Sequence, residues 1–148
     1  MRILLSIKPE FVEKIFSGQK KFEYRKTTFR NGVSSVVVYS TQPVGRVIGE
    51  FEVKKIHAEH PIKLWQKTRK HAGIDHKRFM KYFSGRDVGQ ALEIGSIRMY
   101  DAPEELTKFC PNGRPPQSFI YLEDQSFAPK GLAPKAAQNP AKRVRRIT

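Results

Sequence analysis

Cysteine is almost missing from this chain. Cys110 stands alone among 148 residues, which excludes an intrachain disulfide framework and fits a reducing compartment. Long apolar runs are missing as well. No stretch approaches the ~18 consecutive apolar residues of a membrane span. Met1-Arg2-Ile3-Leu4-Leu5 is too short a run for a secretory signal and lacks a small-residue cleavage site. A cytoplasmic protein with no membrane partner is expected. Histidine is sparse, at four residues. His57 and His60 lie three apart, but His71, His76 and Cys110 add no second ligand pair, and a stable zinc site usually takes four ligands. Neither a metal nor another cofactor is expected, and there are no internal repeats.

Acids are outnumbered. Against 14 Asp and Glu stand 28 Lys and Arg, for a net charge of +14. Lys130, Lys135, Lys142, Arg143, Arg145 and Arg146 follow Gln125 with no acid among them, and subtracting those six charges leaves +8 on the rest. A body that stays basic without its tail points to a polyanionic partner, nucleic acid first, because the summed field draws phosphates, the other reading being a surplus of base that serves solubility alone. The same change of composition sets the domain boundary. Residues 1–124 are long enough for one core, whereas Pro129, Pro134 and Pro140 recur amid Ala, Lys and Gln beyond it. Residues 125–148 are read as a disordered basic tail, too poor in apolar surface to offset chain entropy. Within it, Lys142, Arg143, Arg145 and Arg146 form a cluster able to lie along phosphates or to stand as a solvated end.

The pattern alternates strands and helices. Arg2 to Lys8 reads as a strand, and Pro9 opens a helix whose Phe11, Val12, Ile15 and Phe16 make one apolar stripe up to a stop at Gly18. Asn31-Gly32 signals a turn. Ser35 to Tyr39 is a β-branched strand, Ser40-Thr41-Gln42-Pro43 a loop, and Val47 to Ile56 a strand in which Gly49 predicts a bulge or close backbone approach. Pro61 to His71 reads as a helix, with Trp65 as a core anchor. Asp75 caps another that carries Phe79, Met80, Tyr82 and Phe83 and ends at Gly85. Val88 to Tyr100 is one or two strands broken at Gly95-Ser96, Pro103 to Leu106 starts a helical turn, and Ser118 to Leu122 closes the sheet.

One stretch organises the rest. Gly18-Gln19-Lys20-Lys21-Phe22-Glu23-Tyr24-Arg25 puts aromatic and charged residues in alternation behind a glycine stop. On a strand, Phe22 and Tyr24 share one face while Glu23 and Arg25 share the other as a charged pair, with Lys20 at the launching turn. Periodicity leaves two readings open, a pocket floor and a solvated charged face.

The spacing Gly-x-Lys-x-x-Glu-x-Arg, here Gly18, Lys20, Glu23 and Arg25, resembles the signature of the ASCH domain family, a branch of the PUA-like β-barrels. Ile3 to Pro9, Tyr39-Ser40-Thr41, Gly49-Glu50-Phe51, Leu64-Trp65, Tyr82 to Gly85 and Pro116 to Phe119 match a prokaryotic subgroup in the same order, over about residues 2 to 122. The resemblance implies an α+β fold, a small mixed PUA-like β-barrel of about six strands with flanking helices. It also implies a basic cleft lined by Gly18, Lys20, Glu23 and Arg25, to which Tyr39 adds a stacking ring and Ser40 a hydroxyl. RNA or nucleotide binding, regulatory in role, is the function so expected. Two enzymatic relatives give the alternative, an acetylcytidine amidohydrolase and a ribonuclease. The amidohydrolase carries a threonine nucleophile where this chain has Glu23, which removes the usual acyl acceptor. Lys20 is retained as candidate base, so Lys20 and Glu23 are the catalytic candidates on that reading. The family's name also suggests transcriptional coregulation.

Overall fold

The computed structural model describes residues 1–29 and 32–122. Asn31 of the expected turn, and all of residues 125–148 with Lys142, Arg143, Arg145 and Arg146, lie outside them. Six strands form one mixed sheet: β1 (Arg2–Ile7), β2 (Phe22–Arg25), β3 (Ser35–Ser40), β4 (Arg46–Glu59), β5 (Gly89–Glu104) and β6 (Phe119–Leu122). They lie in the order β2-β5-β4-β3-β1-β6. β1 and β3 run parallel and the other neighbours antiparallel. The sheet curls into a half-barrel, flanked by α1 (Pro9–Phe16), α2 (Pro61–Thr68) and α3 (His76–Tyr82).

Alternation along the strands divides the core. Ile3, Leu5, Ile7, Val36, Val38, Phe51 and Leu92 face inward and pack under Val12 and Ile15 of α1. Leu4, Val37, Tyr39 and Val47 face outward and are covered by Leu106 and Cys110. At the β2 end, Tyr24 and Ala91 meet Leu64, Phe79 and Phe83 from α2 and α3. Each large apolar side chain so buried contributes about 1.5–3 kcal/mol.

The elements start and stop for local reasons. Gly18, at φ +87°, ends α1 in the left-handed region that glycine tolerates best. Asp75 caps α3 by accepting from the Arg78 backbone N–H at 2.8 Å. His60 caps α2 through Nδ1, which accepts from Ile62 N–H at 3.2 Å, and His57 Nε2 lies 2.8 Å from Glu93 Oε1. Both histidines thus have protein partners. Among the described residues no helix is long and apolar enough to cross a membrane.

Two expectations need correction. β5 runs unbroken through Gly95 and Ser96, because the equally long β4 pairs with it and register shifts after Phe51 and Val53 absorb the bend. Pro103 and Glu104 finish that strand, and the helical turn is a 3-10 turn over Leu106–Lys108.

Gly49 is where β4 bends. The register with β5 shifts between Val47 and Gly49, and a Cβ there would lie 2.4 Å from the Arg98 carbonyl oxygen. Backbone cannot swing aside as a side-chain tip can. Gly49→Val is therefore expected to cost about 1–3 kcal/mol, read as a lowered urea midpoint with an unchanged slope.

Candidate functional site

The curl brings the free edge of β2 against the end of β1, and a pocket of about 440 Å³ lies along that seam. Glu23, Tyr24 and Arg25 all line it. Successive side chains on a strand point to opposite faces, so lining by three in a row places the pocket along the unpaired edge. Ser6, Ile7, Lys8 and Phe11 form the wall from β1 and α1, and Ile74, Arg78, Lys81 and Tyr82 the wall from α3.

Arg25 spans the seam. Its Nη2 donates to the Ser6 carbonyl of β1 at 2.9 Å and lies 3.1 Å from Glu23 Oε2. Its Nε donates to the same carboxylate oxygen at 3.2 Å, and Nη1 reaches Ser118 Oγ, just before β6, at 3.5 Å. Glu23 and Arg25 are both nearly buried, a setting in which either charge would be costly without the other.

Lys20 is 3% exposed. Its ammonium donates to the Ala72 carbonyl at 2.7 Å and sits 4.7 Å from the Tyr24 ring centre and 5.2 Å from that of Phe11. Burial pushes its pKa down to about 8, partly opposed by the Glu23 carboxylate and reinforced by Lys14 and Arg25. Roughly a quarter of the amine is then neutral at pH 7.5. Burial likewise pushes the Tyr24 hydroxyl up to about 12, and that hydroxyl is 2.6 Å from Thr68 Oγ1. The Arg78 guanidinium carbon also lies near Phe11, 4.9 Å from the ring centre, while two of its nitrogens hold Glu10 at 3.1 and 3.3 Å. Lys26 stands 4.7 Å over Tyr82. Five cations, Lys8, Lys20, Arg25, Arg78 and Lys81, thus share the pocket with one acid, Glu23, and three aromatic rings.

A protein-family model described as the ASCH domain matches residues 5–120. The chain belongs to the ASCH domain family. An ASCH domain-containing ribonuclease from Zymomonas mobilis is 28% identical over 126 residues, spanning 82% of this chain and 84% of its own length. The crystal structure of ASCH from Zymomonas mobilis superposes with a TM-score of 0.75 at 27% identity, covering 82% of this chain and 87% of that one. An ATP synthase subunit alpha from Ureaplasma parvum is 32% identical over 122 residues, which are 82% of this chain but only 15% of that relative. The chain therefore spans a minor part of that protein.

Of the residues singled out in the sequence, Lys20, Glu23 and Arg25 come together in the pocket wall. Gly18 stays at the helix stop and does not line it. Tyr39, 4% exposed, packs in the outward-facing core with Leu4 and Val37, so its ring is not offered to a ligand there. Ser40 is buried beside Ile7, one strand behind the wall. The aromatic surface comes instead from Phe11, Tyr24 and Tyr82, and much of the charge from Lys8, Arg78 and Lys81. The signal in the sequence for these residues is an aromatic interleaved with basic side chains, Tyr82 beside Lys77, Arg78 and Lys81. What that local pattern lacks is any sign that α3 folds back onto β2.

Two expectations follow. Arg25→Met leaves a buried Glu23 without its cation and is expected to cost about 3–5 kcal/mol. The double change Glu23→Leu with Arg25→Met should cost clearly less than the two single losses added, in urea unfolding. The second concerns pH. Between pH 8 and 10.5 the unfolded chain holds the Lys20 proton that the folded chain has released, so stability rises with pH in that window. From pH 7 to 9.5 this gain is about 2 kcal/mol, and it should be missing from Lys20→Met. Above pH 10 the raised tyrosine pKa values act in the opposite sense.

Proposed function

We propose that this chain binds RNA by taking one unstacked nucleotide into the seam pocket. The observation that carries this reading is the lining itself: aromatic walls and an excess of cations around a cavity of single-ligand size. A duplex does not enter such a space, whereas an unpaired base stacks on tyrosine or phenylalanine for about 1–3 kcal/mol. Lys8 and Lys81 are exposed at the rim, placed to meet the phosphates on either side of the captured nucleotide. Arg25 keeps Nη1 only loosely engaged at 3.5 Å, which leaves a planar donor for a base edge or phosphate. The basic residues of 125–148 add unspecific phosphate contacts on this view.

Hydrolysis is the second reading, and Lys20 is the observation that favours it. A buried amine with pKa near 8 is partly unprotonated near neutral pH and so free to take a proton from an attacking hydroxyl or water, which an ordinary lysine is not. Arg25 then offsets the negative charge that develops, and Glu23 holds Arg25 in place. The relative named as a ribonuclease lends support.

Fluorescence anisotropy with a labelled single-stranded RNA of six to eight nucleotides tests both. Affinity is expected to fall with salt at a log–log slope of roughly −3 to −4, for about four to six phosphates neutralised. Lys81→Ala should lower that slope by about 0.7, and Tyr82→Leu should weaken binding by about five-fold or more. No binding at low salt, or indifference to both changes, would sink the proposal. If the same RNA is cut by wild type and left intact by Lys20→Met, the second reading replaces the first.

A further inference from the structure

The turn that follows α2 has an unusual relation to Lys20. The backbone N–H of Lys21 donates to the His71 carbonyl at 2.9 Å, the Lys20 ammonium to the Ala72 carbonyl at 2.7 Å, and the Lys14 ammonium to the Gly73 carbonyl at 3.4 Å. Three successive carbonyls of one turn are therefore spent on Lys14, Lys20 and Lys21. Gly73 itself has φ +68°. A Cβ on it would lie 2.4 Å from Lys20 Cγ, 2.5 Å from its Cβ and 2.8 Å from its Cδ. Those atoms are the root of the side chain, not its tip, so they cannot swing clear while the ammonium stays on Ala72.

We infer that Gly73 is a positioning residue for Lys20: its missing side chain lets the 71–73 turn lie flat on the lysine stem and hold the amine in the dry wall of the pocket. The inference deepens the second, hydrolytic reading, since it rests on Lys20 being the pocket's proton-exchanging group. Other groups also face that amine. Glu23, Tyr24 and Arg25 do so from β2 and Lys14 from α1, while Lys8, Arg78, Lys81 and Tyr82 line the same cavity. The 71–73 turn lies against the stem, and water exclusion is the larger influence on the lysine. A side chain at 73 would lift the turn, admit water and return Lys20 towards the behaviour of an exposed lysine.

The molecule supplies its own control. Gly85 also has positive φ, +78°, but a Cβ there meets nothing within 4 Å. Gly85→Ala thus reproduces the backbone cost of such a change without touching Lys20. The test is a carbon-13 NMR titration of the lysine Cε resonances in the full chain, with Lys20 assigned by its loss in Lys20→Met. Four proteins are compared: wild type, Gly73→Ala, Gly73→Asn and Gly85→Ala. Asparagine tolerates the left-handed region better than alanine, which keeps the turn intact while still crowding the stem. Both changes at 73 are expected to raise the Lys20 midpoint by about one unit or more, and Gly85→Ala to leave it in place. An unmoved midpoint at 73, an equal shift from Gly85→Ala, or a wild-type Lys20 that titrates like the exposed lysines overturns the inference. Failure of both Gly73 variants to fold beside a folded Gly85→Ala overturns it too, because residue 73 is then a packing position only. No RNA enters the experiment, so its outcome is independent of whether the chain binds RNA.

Discussion

The Arg25 guanidinium holds the two ends of the sheet together. One nitrogen reaches the Ser6 carbonyl of β1, another the Ser118 hydroxyl beside β6, and the group stays fixed by Glu23 from its own strand. Backbone pairing closes none of this gap in the strand order, which ends on β2 at one side and β6 at the other. A planar fork with five donors can serve three acceptors in fixed directions, and a lysine's single ammonium cannot. The seam is therefore polar where a closed barrel would have ladder hydrogen bonds, and the pocket is what an incomplete closure leaves behind.

Three buried ionisable side chains crowd into that seam within six residues of sequence, Lys20, Glu23 and Arg25. Two of them neutralise each other at 3.1 Å. The third has no carboxylate at bonding distance among its described contacts and rests on a carbonyl and two ring faces. Its altered proton affinity comes from that difference. Glu23 and Arg25 offset each other's burial as a pair, whereas the desolvation of Lys20 is met by a carbonyl and two ring faces.

Much of the fold could be read from the sequence. Strict alternation in Phe22-Glu23-Tyr24-Arg25 put the tyrosine in the core with Phe79 and the acid beside the arginine, because period-two geometry depends on nothing distant. Gly18, Gly49 and Asp75 were legible for the same reason: left-handed backbone, close approach and helix capping are local needs. Tyr39 was misleading. Its place in a loop-flanking strand suggested a stacking ring, yet the outward face of β3 is covered by Leu106 and Cys110, some seventy residues further along the chain. Phe11 and Tyr82 were hidden in ordinary apolar stripes. Only tertiary contact separates an aromatic that packs from one that lines a cavity, and the union of α3 with β2 is a contact of that kind.

The unpaired edge of β2 has a further consequence. A strand with free N–H and C=O groups on one side is normally a template on which another copy can add itself, the first step towards aggregation. Here the positions along that edge carry inward-turned charges instead of flat apolar side chains. An incoming strand would have to break the nearly buried Glu23–Arg25 pair and pull Arg25 off the Ser6 carbonyl. The charges that fill the seam thereby make it hostile to a neighbouring molecule, and an open sheet can persist without being extended.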